Sequence, residues 1–314
     1  MSGTARLIYC LLAVIFIWAS VSAQDLPQTA SPEANAFLDV YFKHKETFID
    51  DIRVDEINIK NRKNIRAVAV RPIGEIPLHT AILLDISGSQ ISHMKEIRWL
   101  YEQMIHALPL RLVDTARVIY FDDGIRALLN TTSSRDLLIK GSDKIRFGRG
   151  SAIYDAIYHA CQTLTEYPES RRIMFIISDC EDRDSSKSIE DAYREAIDNN
   201  IRVYMFVIEE EESNFLMSHP EWPRPAKSYK KHEKHIEKTG GKVVSISDIE
   251  SAGEQFKQIV DEWSHLRRID LCVDTSGKSA SGLKLSVSRK GIKAFYSSVP
   301  QTVSDESCHK DPGR

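Results

Sequence analysis

"AILLDISGSQ", residues 81–90, decides the fold and raises the functional question in one stretch. Ala81 to Leu84 is an unbroken apolar run, as a strand buried on both faces requires, and it stops at a carboxylate, Asp85. Ser87, Gly88 and Ser89 follow at once. An acid and two hydroxyls crowded onto the end of a hydrophobic strand ask for a chemical reason.

Working outward, apolar strands alternate with amphipathic helices. Ile91, Met94, Ile97, Leu100, Tyr101, Met104 and Leu108 recur at three- and four-residue steps, which predicts a helix over 90–108. Strands are expected at 80–85, at 117–121 and 125–129 around the turn Asp122-Asp123-Gly124, and at 173–178, 203–208 and 242–246. Helices are expected at 151–164, 189–197, 228–239 (stopped by Gly240-Gly241) and 249–266. Such a pattern means a parallel sheet covered on both faces, with right-handed crossovers. The fold class is therefore α/β, a doubly wound, mostly parallel sheet over residues 78–266.

The flanks read differently. Residues 37–77 hold the apolar run Phe37–Phe42, the turn KNRKN and the alternating IRAVAVR (65–71). Residues 267–300 hold strands expected at 269–273, 283–289 and 292–296, with SGKSASG and KG as turns and no helix between them. Together the flanks are expected to form a small β domain into which the α/β unit is inserted, leaving a tail at 301–314.

Residues 1–23 read as a secretory signal peptide. Arg6 precedes the apolar run Leu7–Val21, and Val21-Ser22-Ala23 offers small residues for cleavage. The run is too short and too lightly flanked for a membrane span, so none is expected after cleavage. The chain is expected to be secreted or periplasmic. Residues 24–36, rich in Pro, Ser, Thr and Gln, read as a flexible leader. The mature chain keeps Cys161, Cys180, Cys272 and Cys308. Export permits disulfides, and sequence leaves the pairing open, with Cys272–Cys308 the first pair to test. Cys161 and Cys180 read as small buried apolar groups. Formal charge is −3 with both signs mixed along the chain, which argues against nucleic acid as a partner.

In an open parallel sheet, ligands bind outside the carboxyl ends of the strands, where the strand order reverses. Asp85 stands at such an end. GRGSAIYDA (148–156) sets Ser151 after a glycine-rich turn at a helix start, and IISDCED (176–182) ends a buried strand with Asp179. Asp85, Ser87, Ser89, Ser151 and Asp179 are thus the candidate metal ligands. All offer oxygen and none offers nitrogen or sulfur, which suits Mg²⁺, with Mn²⁺ or Ca²⁺ as substitutes. Hydroxyls are neutral ligands. If the serines bind directly and the aspartates act largely through water, the cation keeps positive charge and seeks an anionic oxygen from a partner's Asp or Glu.

DISGS resembles the D-x-S-x-S of von Willebrand factor type A domains. GRGSAIYDAI resembles their Thr-containing loop and IISDCEDRDS their third loop, in the same order along the chain. The resemblance implies the doubly wound fold and a metal ion-dependent adhesion site. It makes Ser87 and Ser89 direct ligands, with Asp85 and Asp179 bound mostly through water. Ser151 stands where the family usually has Thr, keeping the hydroxyl and losing a methyl that helps to fix the rotamer. Cys180 stands where relatives commonly have Gly. The flanks FIDDIRVDEINIKNRKNIRAVAV and GLKLSVSRKGIKAFYSSVP resemble, more loosely, those of secreted bacterial proteins in a VWFA-related family abundant in Acidobacteria.

The function expected is a metal-dependent binding or adhesion module, not an enzyme, whose partner is a protein or peptide with an exposed carboxylate. A metal-assisted phosphoester hydrolase is the alternative, and a scaffold with a vestigial site a third reading. Metal hydrolysis needs an activated water and a general base. No His or Lys stands inside the three motifs, and neither a G-x-S-x-G elbow nor a G-x-x-x-x-G-K phosphate cradle occurs. His232 and His235, three apart in KKHEKH, read as part of a solvated charged helix face, and Glu209–Glu212 as a solvated run. Asp122 and Asp123 read as turn formers, and Trp222 as packed against the domain. Tyr154 and Asp155 are assigned no ligand role.

Overall fold

The computed structural model describes residues 34–60, 64–74, 76–127, 131–141, 143, 145–146, 148–167, 170–208, 229–246, 249–274, 283–296 and 301–302. The stretch read as a signal peptide and most of the expected leader, the middle of KNRKN, Glu209–Glu212, Trp222, SGKSASG and Cys308 lie outside the described residues.

The strands are β1 (Ala36–His44), β2 (Thr47–Phe48), β3 (Ile57–Lys60), β4 (Ile65–Pro72), β5 (Leu78–Asp85), β6 (Thr115–Phe121), β7 (Ile125–Ala127), β8 (Arg171–Ser178), β9 (Ile201–Ile208), β10 (Lys242–Ile246), β11 (Arg267–Val273), β12 (Lys284–Val287), β13 (Ile292–Tyr296) and β14 (Gln301–Thr302). The helices are α1 (Met94–Ala107), α2 (Arg135–Gly141), α3 (Ile153–Thr165), α4 (Ile189–Asp198), α5 (Lys230–Lys238) and α6 (Ile249–Ser264).

The central sheet runs β10-β9-β8-β5-β6-β7, parallel except for the β6–β7 hairpin. β5, β8 and β9 are buried at every residue, because helices cover both faces. Successive side chains alternate between two cores. Leu78, Ile82 and Leu84 meet Leu100, Tyr101 and Met104 of α1 and Phe256 and Trp263 of α6 on one face. Ala81 and Leu83 meet Ile153 and Ile157 of α3 and Tyr193 of α4 on the other. Ser188 caps α4 by accepting the Asp191 amide at 3.1 Å.

A second, antiparallel sheet draws strands from both flanks. Its order is β13-β1-β11-β4, with β2 and β14 also paired to β1. Leu38, Val40, Phe42, Ile269 and Leu271 fill a third core beneath it. Arg268 makes a two-pronged bond to Asp39, Nε to Oδ1 at 2.8 Å and Nη2 to Oδ2 at 2.9 Å. Arg202 of β9 reaches the Asp39 carbonyl at 3.1 Å, which ties the two sheets together.

Two elements differ from expectation at the site. The helix predicted from residue 90 begins as a 3-10 turn over Gly88–His93 before α1 takes over. The tighter turn rotates the apolar stripe, leaving Ile91 and Met94 exposed and Gln90 buried. His232 is buried rather than solvated. Its Nδ1 pairs with the Tyr193 hydroxyl at 2.8 Å, and desolvation pulls its pKa down to about 3. His235, by contrast, keeps partial exposure, as the charged-face reading expects. The α2 helix and strand β3 were not anticipated from the pattern. Among the described residues, no helix is long and apolar enough to cross a membrane.

Candidate functional site

From β5 the chain moves to β6 on one side and later returns to β8 on the other, so the strand order reverses at β5. The crevice outside the carboxyl ends of β5 and β8 is where such a sheet binds ligands. Leu84 pairs with Ile177, which sets the next residues, Asp85 and Ser178, beside one another. Ser178 Oγ donates to Asp85 Oδ2 at 2.6 Å and accepts the Cys180 amide at 2.9 Å. The Ser87 amide donates to Asp85 Oδ1 at 2.9 Å. Asp85 is fully buried. Desolvation first, and the charge of Asp179 second, push its pKa up to about 7, against hydrogen bonds from Ser178 and Ser87 that favour the charged form.

The chain of polar contacts continues across the crevice. Ser87 Oγ and Ser89 Oγ are 3.0 Å apart, and Ser89 Oγ donates to Asp179 Oδ2 at 2.6 Å. Gln90 Nε2 donates to the same oxygen at 2.7 Å, and the Glu181 amide to Oδ1 at 3.0 Å. Ser89 is exposed and Asp179 half-buried, so the group opens to solvent on that side.

Four of the five candidate residues, Asp85, Ser87, Ser89 and Asp179, therefore meet in one network. Ser151 joins the same loop by another route. Its hydroxyl donates to the Glu181 carbonyl at 2.8 Å, and its amide to Asp184 Oδ2 at 2.8 Å. The Ser151 carbonyl in turn accepts the amides of Arg183 and Asp184.

Close backbone approach explains the glycine-rich turn. The Gly148 amide donates to the Ile86 carbonyl at 2.8 Å, laying this turn against DISGS. A Cβ on Gly148 would stand 1.9 Å from Asp122 Oδ2. Gly150 has φ +62°, and a Cβ there would stand 2.0 Å from Asp184 Oδ2. Asp122 does more than form a turn: it is fully buried, its carbonyl accepts the Ala152 amide, and its carboxylate takes the Gly124 amide and Arg126.

Cys180 has φ +67°, the left-handed region where glycine is favoured. The loop thus keeps the backbone expected of a glycine while carrying a side chain. That side chain is buried, its Sγ 3.2 Å from Met205 Sδ. Cys161 is likewise buried and free, whereas Cys272 is disulfide-bonded.

Sequence reasoning missed Ser178 and Gln90. Ser178 left a weak signal, a hydroxyl closing an otherwise apolar strand. Gln90 left none, because the helical spacing that would orient it is broken by the 3-10 turn. Gln90 is 1% exposed, and its Oε1 has no hydrogen-bond partner among the described residues. Leaving such a carbonyl unsatisfied costs about 1–3 kcal/mol.

The donor set fits a hard cation. It consists of hydroxyl, carboxylate and amide oxygens, its two carboxylates repel each other, and one buried oxygen lacks a donor among the described residues. Ser87, Ser89, Asp85 and Asp179 are the residues that would hold it. Among the described residues, no group of three or more His, Cys, Asp or Glu side chains is placed to hold a metal, so a site here depends on its serines.

No family profile and no curated protein matches the chain. Solved structures do. The conserved hypothetical protein BatB from Bacteroides thetaiotaomicron is 20% identical, with 60% of this chain and 98% of that one covered at a TM-score of 0.47. A von Willebrand factor type A protein from Catenulispora acidiphila is 13% identical, with 88% and 77% covered at 0.48. The PilB minor pilin from Streptococcus sanguinis is 12% identical, with 60% and 62% covered at 0.46.

Proposed function

We propose that this protein is an exported binding module that captures an acidic residue of a protein partner through a Mg²⁺-type ion held by Asp85, Ser87, Ser89 and Asp179, with Ser151 supporting the loop. The observation that carries the reading is the hydroxyl bridge from Ser87 to Ser89 to Asp179, open to solvent at Ser89, beside a buried Asp85 to which, among the described residues, no cationic side chain is bonded. A cation placed there would relieve the Asp85–Asp179 repulsion and present an open position to an incoming carboxylate. The Ser178 and Ser89 hydroxyls, the Ser87 and Glu181 amides and the Gln90 side chain orient these carboxylates, and a site built to orient its acids favours binding over hydrolysis. The Cys272 disulfide agrees with an oxidising compartment, secreted or periplasmic. The flank sheet is read as a small β domain that carries the binding edge.

Capture of partners from the native exported fraction, with Mg²⁺ and then with chelator, tests the proposal. Elution by chelator from the wild type, and no capture by Asp85→Asn, is the expected result. Capture that ignores both chelator and the substitution would sink it.

A further inference from the structure

We infer that Gln90 is a working member of this cation site: it positions Asp179 through Nε2 and offers Oε1 to a water bound to the cation. The inference rests on the metal-binding reading above and adds a residue that no motif assigns. Gln90 lies in the 3-10 turn, is 1% exposed, and spends its Nε2 on Asp179 Oδ2 at 2.7 Å. That bond fixes the amide's orientation, since the reverse would set a carbonyl against a carboxylate. Oε1 is then buried with no donor among the described residues. A buried acceptor left bare on the amide that holds Asp179 is explained by a donor that arrives with a ligand, and metal-bound water is a strong donor.

The bonding of Asp179 agrees. Oδ2 accepts from both Ser89 and Gln90, and Oδ1 from the Glu181 amide. The Ser89 hydroxyl can give a lone pair to a cation while its proton stays on Oδ2. Gln90 keeps the carboxylate from swinging away meanwhile. It is a positioning residue for Asp179 and an outer ligand for the ion.

The test uses the full chain at constant pH, Mg²⁺ alone as the probe, and two variants. Titration calorimetry should show Gln90→Leu binding Mg²⁺ roughly tenfold to a hundredfold more weakly than the wild type. Gln90→Glu should melt lower than the wild type in chelator, because a third carboxylate joins the cluster, and regain that loss in Mg²⁺. A purely structural Gln90 predicts the same melting shift with and without Mg²⁺ and unchanged affinity in both variants; that outcome overturns the inference while the metal site stands. If the wild type itself neither binds Mg²⁺ nor gains stability from it, the site reading falls, and this inference falls with it.

Discussion

The two edges of the central sheet bury charge in opposite ways. At the amino end of β8, Arg171 and Arg172 are buried, and desolvation pulls the pKa of each down to about 10. They find fixed acceptors in their own chain: Arg171 the Ile76 carbonyl, Arg172 the carbonyls of Tyr167 and Asn199. Nearby Arg268 holds Asp39 with both prongs. At the carboxyl end, Asp85 accepts from the Ser178 hydroxyl and the Ser87 amide, and Asp179 from the Ser89 hydroxyl, the Glu181 amide and the Gln90 side chain. Fixed carbonyls and a counter-ion make the first edge a joint. Paired acids that accept from neutral hydroxyls and amides make the second a place for something that comes and goes.

That contrast breaks most readily at Arg268. Arg268→Met strands Asp39, itself 8% exposed, and should cost about 3–5 kcal/mol in denaturant unfolding. Adding Asp39→Leu should recover most of the loss, and Mg²⁺ affinity should not change in either variant. At the other edge the effect should be conditional. Saturating Mg²⁺ at about a hundred times its dissociation constant should stabilise the wild type by about 2.7 kcal/mol. Asp85→Asn should abolish that gain and unfold no earlier than the wild type in chelator, since the substitution removes a buried repulsion. Ser89→Ala should lose most of the gain as well.

His232, which meets the Cys180 backbone beside Asp179, gives a pH test. Its folded pKa lies near 3, below the ordinary histidine value of 6.5, so protons favour the unfolded chain. Its contribution is fully present above 6.5 and is lost as pH falls toward 3, by up to about 1.4 kcal/mol per pH unit. His232→Phe should flatten that slope in pH-dependent unfolding. The smallest effect belongs to Cys180→Gly. Relief of the left-handed backbone and loss of a buried sulfur oppose each other at about 1 kcal/mol each, so net stability should move by less than about 1 kcal/mol.

The fold was legible where periodicity is strong. Continuous apolar runs placed β5, β8 and β9, and helical spacing placed α3, α4 and α6 to within a few residues. It failed where geometry is local or charge decides. The 3-10 turn shifted the face of Ile91 and Met94, and α2 is too short to carry a clear period. Of the site, Asp85, Ser87, Ser89 and Asp179 were readable because strand ends at a switch point converge. The orientation of the Ser151 hydroxyl was not, because it depends on a carbonyl thirty residues away. Gln90 and His232 stood among polar neighbours, and tertiary packing alone buries them.

The strand β1 finds its principal partner, β11, only after the whole intervening unit has been made; Asn35, at its entrance, bonds Val273 across 238 positions of sequence. During synthesis, β1 must therefore wait, its apolar side chains uncovered, until Arg267–Val273 appears. Closing so long a loop is slow, and a lone strand edge invites mispairing in the interval. Assembly of this protein should accordingly depend on a holdase, and truncation before Arg267 should leave an aggregating rather than a smaller product.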